Sequence, residues 1–181
     1  MTSVDLQTAI AHLYPGAPSP SGYTITVDSA GNATIASWTP DLAGGPEPTA
    51  TELAAALTAA QLMQAQRQQE QVLAQAYQAA RYGAPITITT AAGVTLTFDT
   101  TTTTQMAVMG YLVAFNAANW PSAGVPLQDL AGAIHLLTLA DMQSVAVATA
   151  NQSIAAWTKL QTLLASVQAA TSVAAVTSVV W

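Results

Sequence analysis

Few side chains in this sequence can carry acid–base or metal chemistry: two histidines, nine carboxylates and no cysteine. A general base needs an orienting acid and a nucleophile within hydrogen-bond reach, and a metal needs several ligands at fixed spacing. His12 and His135 lie far apart, and neither has a second histidine or a carboxylate at metal-ligand spacing. His12 is expected at the polar edge of a helix. Asp5, Glu52 and Asp141 each stand three residues after a threonine (Thr2, Thr49, Thr138), which is the spacing of a helix-capping box, and Asp28 and Asp99 fall in turns. Backbone N–H groups account for acids in such places. Gly44-Gly45-Pro46 has the glycines of a phosphate loop, but no Lys-Ser or Lys-Thr follows it and no strand-to-helix turn surrounds it, so it reads as loop punctuation. The sequons at Asn32 and Asn151 are expected by chance in so Thr- and Ser-rich a chain. The residue types therefore predict no catalytic, cofactor-binding or metal-binding residue and a protein that is not an enzyme.

Charge narrows the partners. Only 7% of residues are charged, with Arg67, Arg81 and Lys159 against nine carboxylates and a net charge of −6. Nucleic acid is a poor partner and none is expected, because binding it needs several Lys or Arg to displace counterions from phosphates. A surface this poor in charge must be solvated by Thr, Ser, Gln and Asn, or covered by another chain. The apolar half of the sequence is mostly Ala, Val and Leu, which favours thin, closely approached helices. No stretch reaches the roughly 18 unbroken apolar residues of a membrane span. The opening Met1-Thr2-Ser3-Val4-Asp5 lacks the basic and apolar regions of a secretory signal, so the expected place of action is the cytoplasm or a particle that leaves it.

These residues must be held by elements that the patterning predicts. Leu6, Ala9, Ile10 and Leu13 fall on one face of a helix over 3–14, capped by Thr2 and Asp5. Alternation in Tyr23–Val27 and Thr34–Trp38, around Asp28-Ser29-Ala30-Gly31-Asn32, predicts a hairpin. The helix is expected to pack on the hairpin face that carries Tyr23, Ile25, Val27 and Trp38. Pro40 to Pro48 reads as a loop. Thr49 and Glu52 then open a helix that nothing breaks until Gly83, about 33 residues and roughly 50 Å long. It carries a heptad-like stripe, Leu53, Ala56, Ala60, Met63, Arg67, Glu70, Ala74 and Tyr77, with a glutamine-rich centre.

A second hairpin follows. Ile86–Thr90 and Val94–Asp99 alternate strictly around Ala91-Ala92-Gly93, with Ile86, Ile88, Val94, Leu96 and Phe98 on one face and threonines on the other. A helix from about Thr102 to Ala118 is predicted, on which Met106, Met109, Gly110, Val113 and Ala117 form a narrow apolar face. Residues 132–137 predict one more short strand or turn after an irregular stretch with Gly124 and Pro126. Thr138 and Asp141 open a last long helix to about Ala169, with Met142, Val145, Thr149, Ile154, Trp157, Leu160, Leu164 and Val167 on one stripe. Thr171 is expected to cap a final turn before the apolar tail Val173, Val176, Val179, Val180, Trp181.

The fold class expected is α+β and mostly helical: two small β-hairpin-plus-helix modules joined by a long α-helix. The divisions are residues 1–48 for the N-terminal helix and hairpin, 49–82 for the connecting helix, and 83–181 for the C-terminal hairpin and helices. The Gln-rich centre of the long helix reads equally as a partner seam or a solvated face. The Val-rich tail reads as packing within the chain, as a partner contact or as disorder. Taken as contacts, the candidate partner-binding residues are Leu53, Leu57, Met63, Gln64, Tyr77, Val176, Val180 and Trp181.

Two stretches carry a family resemblance. Ala9-Ile10-Ala11-His12-Leu13-Tyr14-Pro15-Gly16-Ala17, the hairpin reaching Ile35-Ala36-Ser37-Trp38, and Gly45-Pro46-Glu47-Pro48-Thr49-Ala50-Thr51-Glu52-Leu53 together resemble the XkdW-like proteins of phages and defective prophages. From about Tyr82 onward the chain is similar to a domain of unknown function from phage tail-fibre gene neighbourhoods. That similarity is carried by Phe98-Asp99-Thr100, Trp120, Leu137-Thr138-Leu139-Ala140-Asp141-Met142 and Ala169-Ala170-Thr171. This chain has less charge in its helices than that family.

The resemblance implies a tail-associated role without catalytic residues or cofactors. It implies a tail-fibre assembly chaperone whose partner is the trimeric fibre protein, acting in the host cytoplasm, or alternatively a permanent minor subunit of the tail, fibre or baseplate retained in the virion. The long helix offers a further contact, with a second copy of the chain. A tail hydrolase would need a site assembled from residues remote in sequence, and a sugar-binding module would need more free aromatics.

Overall fold

The structure is a computed structural model that describes residues 1–19, 21–115 and 118–181. More than half of the chain is helical and, among the described residues, the strands pair in small antiparallel hairpins, an α+β architecture. Its contacts divide into two compact units, Met1–Gln69 with Ala169–Ser178, and Glu70–Gln168 with Val179–Trp181.

In the first unit, helix α1 (Ser3–Leu13) starts at a capping box in which Asp5 N–H donates to Thr2 Oγ1 at 3.2 Å and Thr2 N–H donates to the Asp5 carboxylate at 3.1 Å. Strands β1 (Tyr23–Val27) and β2 (Ala33–Trp38) pair around a turn in which Asp28 accepts the amides of Ala30 and Asn32. The register shifts between Thr24 and Ile25, so Tyr23 faces Trp38 while Val27 faces Ala33 near the tip. The expected packing face is corrected there: Val27 is exposed, because the hairpin tip runs beyond the core. Leu6, Ala9, Ile10 and Tyr23 are buried with Leu53 and Ala56 of α3 (Ala50–Tyr82), and Ile25, Trp38 and Leu57 close around them.

The 40–48 segment is not all loop. Pro40, whose fixed φ suits the first helical position, begins the single turn α2 (Pro40–Ala43). Helix α3 has the predicted bounds, and its capping box is present: Thr49 N–H donates to Glu52 at 2.7 Å and Glu52 N–H donates to Thr49 Oγ1 at 3.3 Å. Helix α6 (Val173–Thr177) is capped by Ser172 rather than Thr171, through the Ala175 amide at 3.1 Å. Its Val176 is fully buried.

The second unit is built on two hairpins, β3 (Ile86–Thr89) with β4 (Thr95–Phe98), and β5 (Val125–Gln128) with β6 (Ile134–Leu137). Ile86, Ile88, Leu96 and Phe98 from the first hairpin meet Val125, Leu127 and Leu137 from the second. Val94 is exposed, since it belongs to the turn, where its carbonyl accepts the Thr90 amide, and not to the strand. Strand β5 was hidden in sequence by Pro126. A proline is tolerated here because a two-stranded hairpin has free edges on which a missing N–H costs no ladder bond. The hairpins are tied by Leu130 N–H donating to Thr97 O at 2.8 Å.

Helix α4 (Thr102–Ala114) is shorter than predicted. Val108 is buried and Tyr111, Leu112 and Phe115 pack on the core, whereas Met106, Met109 and Val113 face outward. Ala117, expected on the narrow apolar face, lies outside the described residues. Helix α5 (Leu139–Ala169) buries Met142, Val145, Leu160 and Val167 of its stripe, while Ile154 and Trp157 are exposed.

Candidate protein-contact surfaces

The start of α3 is positioned by a cluster that unites the Tyr, Trp and Gly-Pro of the N-terminal pattern. Tyr14 O–H donates to Pro46 O at 2.7 Å and Trp38 Nε1–H donates to Gly45 O at 2.8 Å, with the two rings edge to face at 5.2 Å. The helix end, the hairpin end and the loop before α3 are thereby held at one point, which fixes where α3 leaves the core. Past Ala56, the stripe that carries Leu53 and Ala56 continues as Ala60, Met63, Gln64 and Arg67. With Thr8 and His12 of α1 it walls a groove of about 260 Å³.

In the second unit exposed apolar side chains lie on α4 and α5, and also on the β5–β6 hairpin, where Leu130, Ile134 and Leu136 are exposed. Met106, Met109 and Val113 are 67%, 56% and 81% exposed, and Ile154 is 63% exposed. The spacing of 106, 109 and 113 puts all three on one helix face. A groove of about 350 Å³ between α4 and α5 is lined by Val108, Met109, Ala146 and Ile154 and ends at Arg81. The Arg81 Nη1 donates to the Tyr77 hydroxyl at 3.1 Å and the guanidinium lies 4.8 Å from the Tyr82 ring centre. Lys159 sits similarly, 4.9 Å from the centre of the Trp181 ring. Among the described residues, no Lys or Arg makes an ion pair.

The carboxylates are occupied instead by caps and turns. Hydrogen bonds from Thr2, Asn32, Thr49 and Thr104 hold Asp5, Asp28, Glu52 and Asp99, in that order, below their usual values. For Asp141, burial pushes the carboxyl up, but hydrogen bonds from Thr138 and the Ala91 amide outweigh it and the net shift is down. The His135 Nε2 lies 2.8 Å from Asp129 Oδ2, a contact that lowers the Asp129 value. Sequence spacing missed this pair because the β5–β6 reversal, and not a helix turn, brings residues 129 and 135 together. Asp129 also accepts the Ala133 amide at 2.8 Å, so the pair staples a turn. Among the described residues, no three His, Asp or Glu side chains gather as metal ligands.

The eight residues singled out for partner contact separate by burial. Leu53, Tyr77 and Val176 are buried within the chain and Leu57 is half-buried against the first core, so a partner cannot reach most of their surface. Met63, Gln64 and Val180 are exposed and Trp181 is half-buried under Lys159. Apolar residues on a helix predict burial without saying against what, and these took intramolecular partners. The exposed face of α4 is not among those eight, because apolar periodicity marks a face without saying whether the chain itself covers it.

Residues 6–65 match the family model of the XkdW protein. This is a phage-related family, and the match spans α1, the first hairpin and the first half of α3. No curated protein and no solved structure matches the chain. The matched residues include Tyr14, Trp38 and Gly45-Pro46, the cluster that holds the start of α3. It supports a phage protein.

Proposed function

We propose that this chain is an assembly protein for the tail fibre of a tailed phage, acting by protein–protein contact in the host cytoplasm. The observation that carries this is the outward aliphatic face of α4, Met106, Met109 and Val113, on a chain whose N-terminal residues match a phage-related family. Apolar surface of this kind costs free energy in water, at roughly 25 cal/mol per Å², until another surface covers it. A fibre chain before trimerisation exposes apolar surface of its own, and two such faces stabilise one another. No reaction is assigned to the chain.

Co-expression with the tail-fibre gene adjacent to its own tests this. The expected outcome is a fibre that is soluble and trimeric only when this chain is present. A fibre that folds equally well alone would overturn the assembly role. Retention in the virion as a permanent minor subunit is the second reading, favoured by the exposure of Met63 and Val72 on the 33-residue helix α3, which a second copy of the chain could pair with. A defined homo-oligomer of this chain, with no effect on the fibre, would select it.

A further inference from the structure

We infer that the groove between α1 and α3 takes an acidic segment of the protein partner, a carboxylate side chain flanked by an aliphatic one. This rests on the assembly reading for the source of the segment, and on the groove itself for its chemistry.

The chain as a whole is acidic, yet this groove has the opposite character. Thr8 and His12 are one helical turn apart on α1, and Met63, Gln64 and Arg67 follow the i, i+1, i+4 spacing of one face of α3. No carboxylate lines the groove. The side chains of His12, Gln64 and Arg67 make no hydrogen bond or ion pair with any described residue, whereas six of the nine carboxylates are held by caps, turns or His135. The groove thus offers a guanidinium, an imidazole and an amide, all donors without protein acceptors. Beside them are the thioether of Met63, which is 42% exposed, and the methyl of Ala60.

A guanidinium presents parallel N–H groups that match a carboxylate, Gln64 adds a neutral donor, and a flexible methionine adapts to an aliphatic neighbour. The stripe on α3 explains why the groove exists. Leu53 and Ala56 bury it against α1 and the hairpin, and beyond Ala56 the same stripe changes from apolar to donor-bearing while α1 still flanks it.

The test uses the full chain with its methionine methyls labelled, titrated with the probe peptide N-acetyl-Leu-Glu-Ile-Glu-Leu amide and with its Gln counterpart. The Glu peptide is expected to shift the Met63 methyl resonance saturably and to bind at least about 10-fold more tightly than the Gln peptide, with added salt reducing the difference. Arg67→Glu is expected to abolish that preference and Arg67→Lys to keep part of it. Because Arg67 is exposed and makes no hydrogen bond or ion pair with the described residues, both variants should fold. Equal binding of the two peptides, no binding, shifts confined to Met106 and Met109, or an unchanged preference in Arg67→Glu would each overturn the inference. The same variant measured against the co-expressed fibre separates the two claims. If the fibre binds Arg67→Glu as it binds the parent, the groove assignment falls and the assembly role stands. Preference for the Glu peptide without any fibre binding gives the reverse.

Discussion

Asp141 joins two distant segments of the second unit, and its replacement has a calculable cost. Its carboxylate, 6% exposed, accepts the Ala91 amide from the β3–β4 turn at 2.7 Å, the Thr138 amide at 3.1 Å and the Thr138 hydroxyl at 2.6 Å. The first bond ties a hairpin to a helix start fifty residues away in sequence, and the others complete the α5 capping box. A hydrogen bond to a charged acceptor contributes roughly 1.5–3 kcal/mol, and loss of a capping partner costs about 1 kcal/mol. Asp141→Ala should therefore destabilise by about 3 kcal/mol, and Asp141→Asn, which keeps one acceptor, by about half as much. In urea unfolding followed by circular dichroism, with a slope of about 2 kcal/mol/M, the midpoint of Asp141→Ala falls by about 1.5 M.

Thr138→Ala removes the cap but leaves the Ala91 bond, and should cost only about 1 kcal/mol. The pH dependence has a definite sign. The folded carboxyl lies below its usual value, so its stabilisation is complete above about pH 4 and is lost as pH falls through the folded value. Asp141→Ala should flatten that acid limb. Equal losses for Asp141→Ala and Thr138→Ala would refute the reasoning, because the Ala91 bond would then contribute nothing.

Three other outcomes follow from the same geometry. Gly124 has φ +86°, and a Cβ there would come within 2.8 Å of Leu137 O, while Gly110 lies in α4 with nothing within 4 Å of an added Cβ. In thermal unfolding, Gly124→Ala should cost about 2 kcal/mol or more, and Gly110→Ala should stabilise by about 0.5–1 kcal/mol. Trp38→Phe and Tyr14→Phe should each cost about 1 kcal/mol, and the double variant should cost less than their sum, since both hold the Gly45-Pro46 loop. The pair Met106→Ser and Met109→Ser should change stability by less than about 0.5 kcal/mol each, yet weaken capture of the fibre in co-purification.

The helix boundaries were legible wherever a residue signal is chemical and local. Thr2 with Asp5, Thr49 with Glu52 and Thr138 with Asp141 announce their helices by side-chain reach alone, and each box is present. The β3–β4 hairpin was legible because strict alternation leaves one register. Orientation was not. In α4, period alone nominated Met106, Met109 and Val113, and the core took Val108 with Tyr111, Leu112 and Phe115 instead, because two apolar faces compete and the choice depends on what β3, β4 and α5 present. Strand β5 hid behind Pro126, and the His135–Asp129 pair behind a chain reversal. In the groove of the first unit, Met63 lies on the stripe of α3 and Gln64 in its glutamine-rich centre, and His12, expected at the polar edge of α1, lines the same groove.

The central claim, that this chain works by holding a tail-fibre protein, is tested most directly by the mass of what co-elutes. Purified chain mixed with co-expressed fibre should run on size-exclusion chromatography with light scattering as one species, its mass that of a fibre trimer plus whole copies of the 18.5 kDa chain. Two separate peaks, each with the mass of its own component, would contradict it.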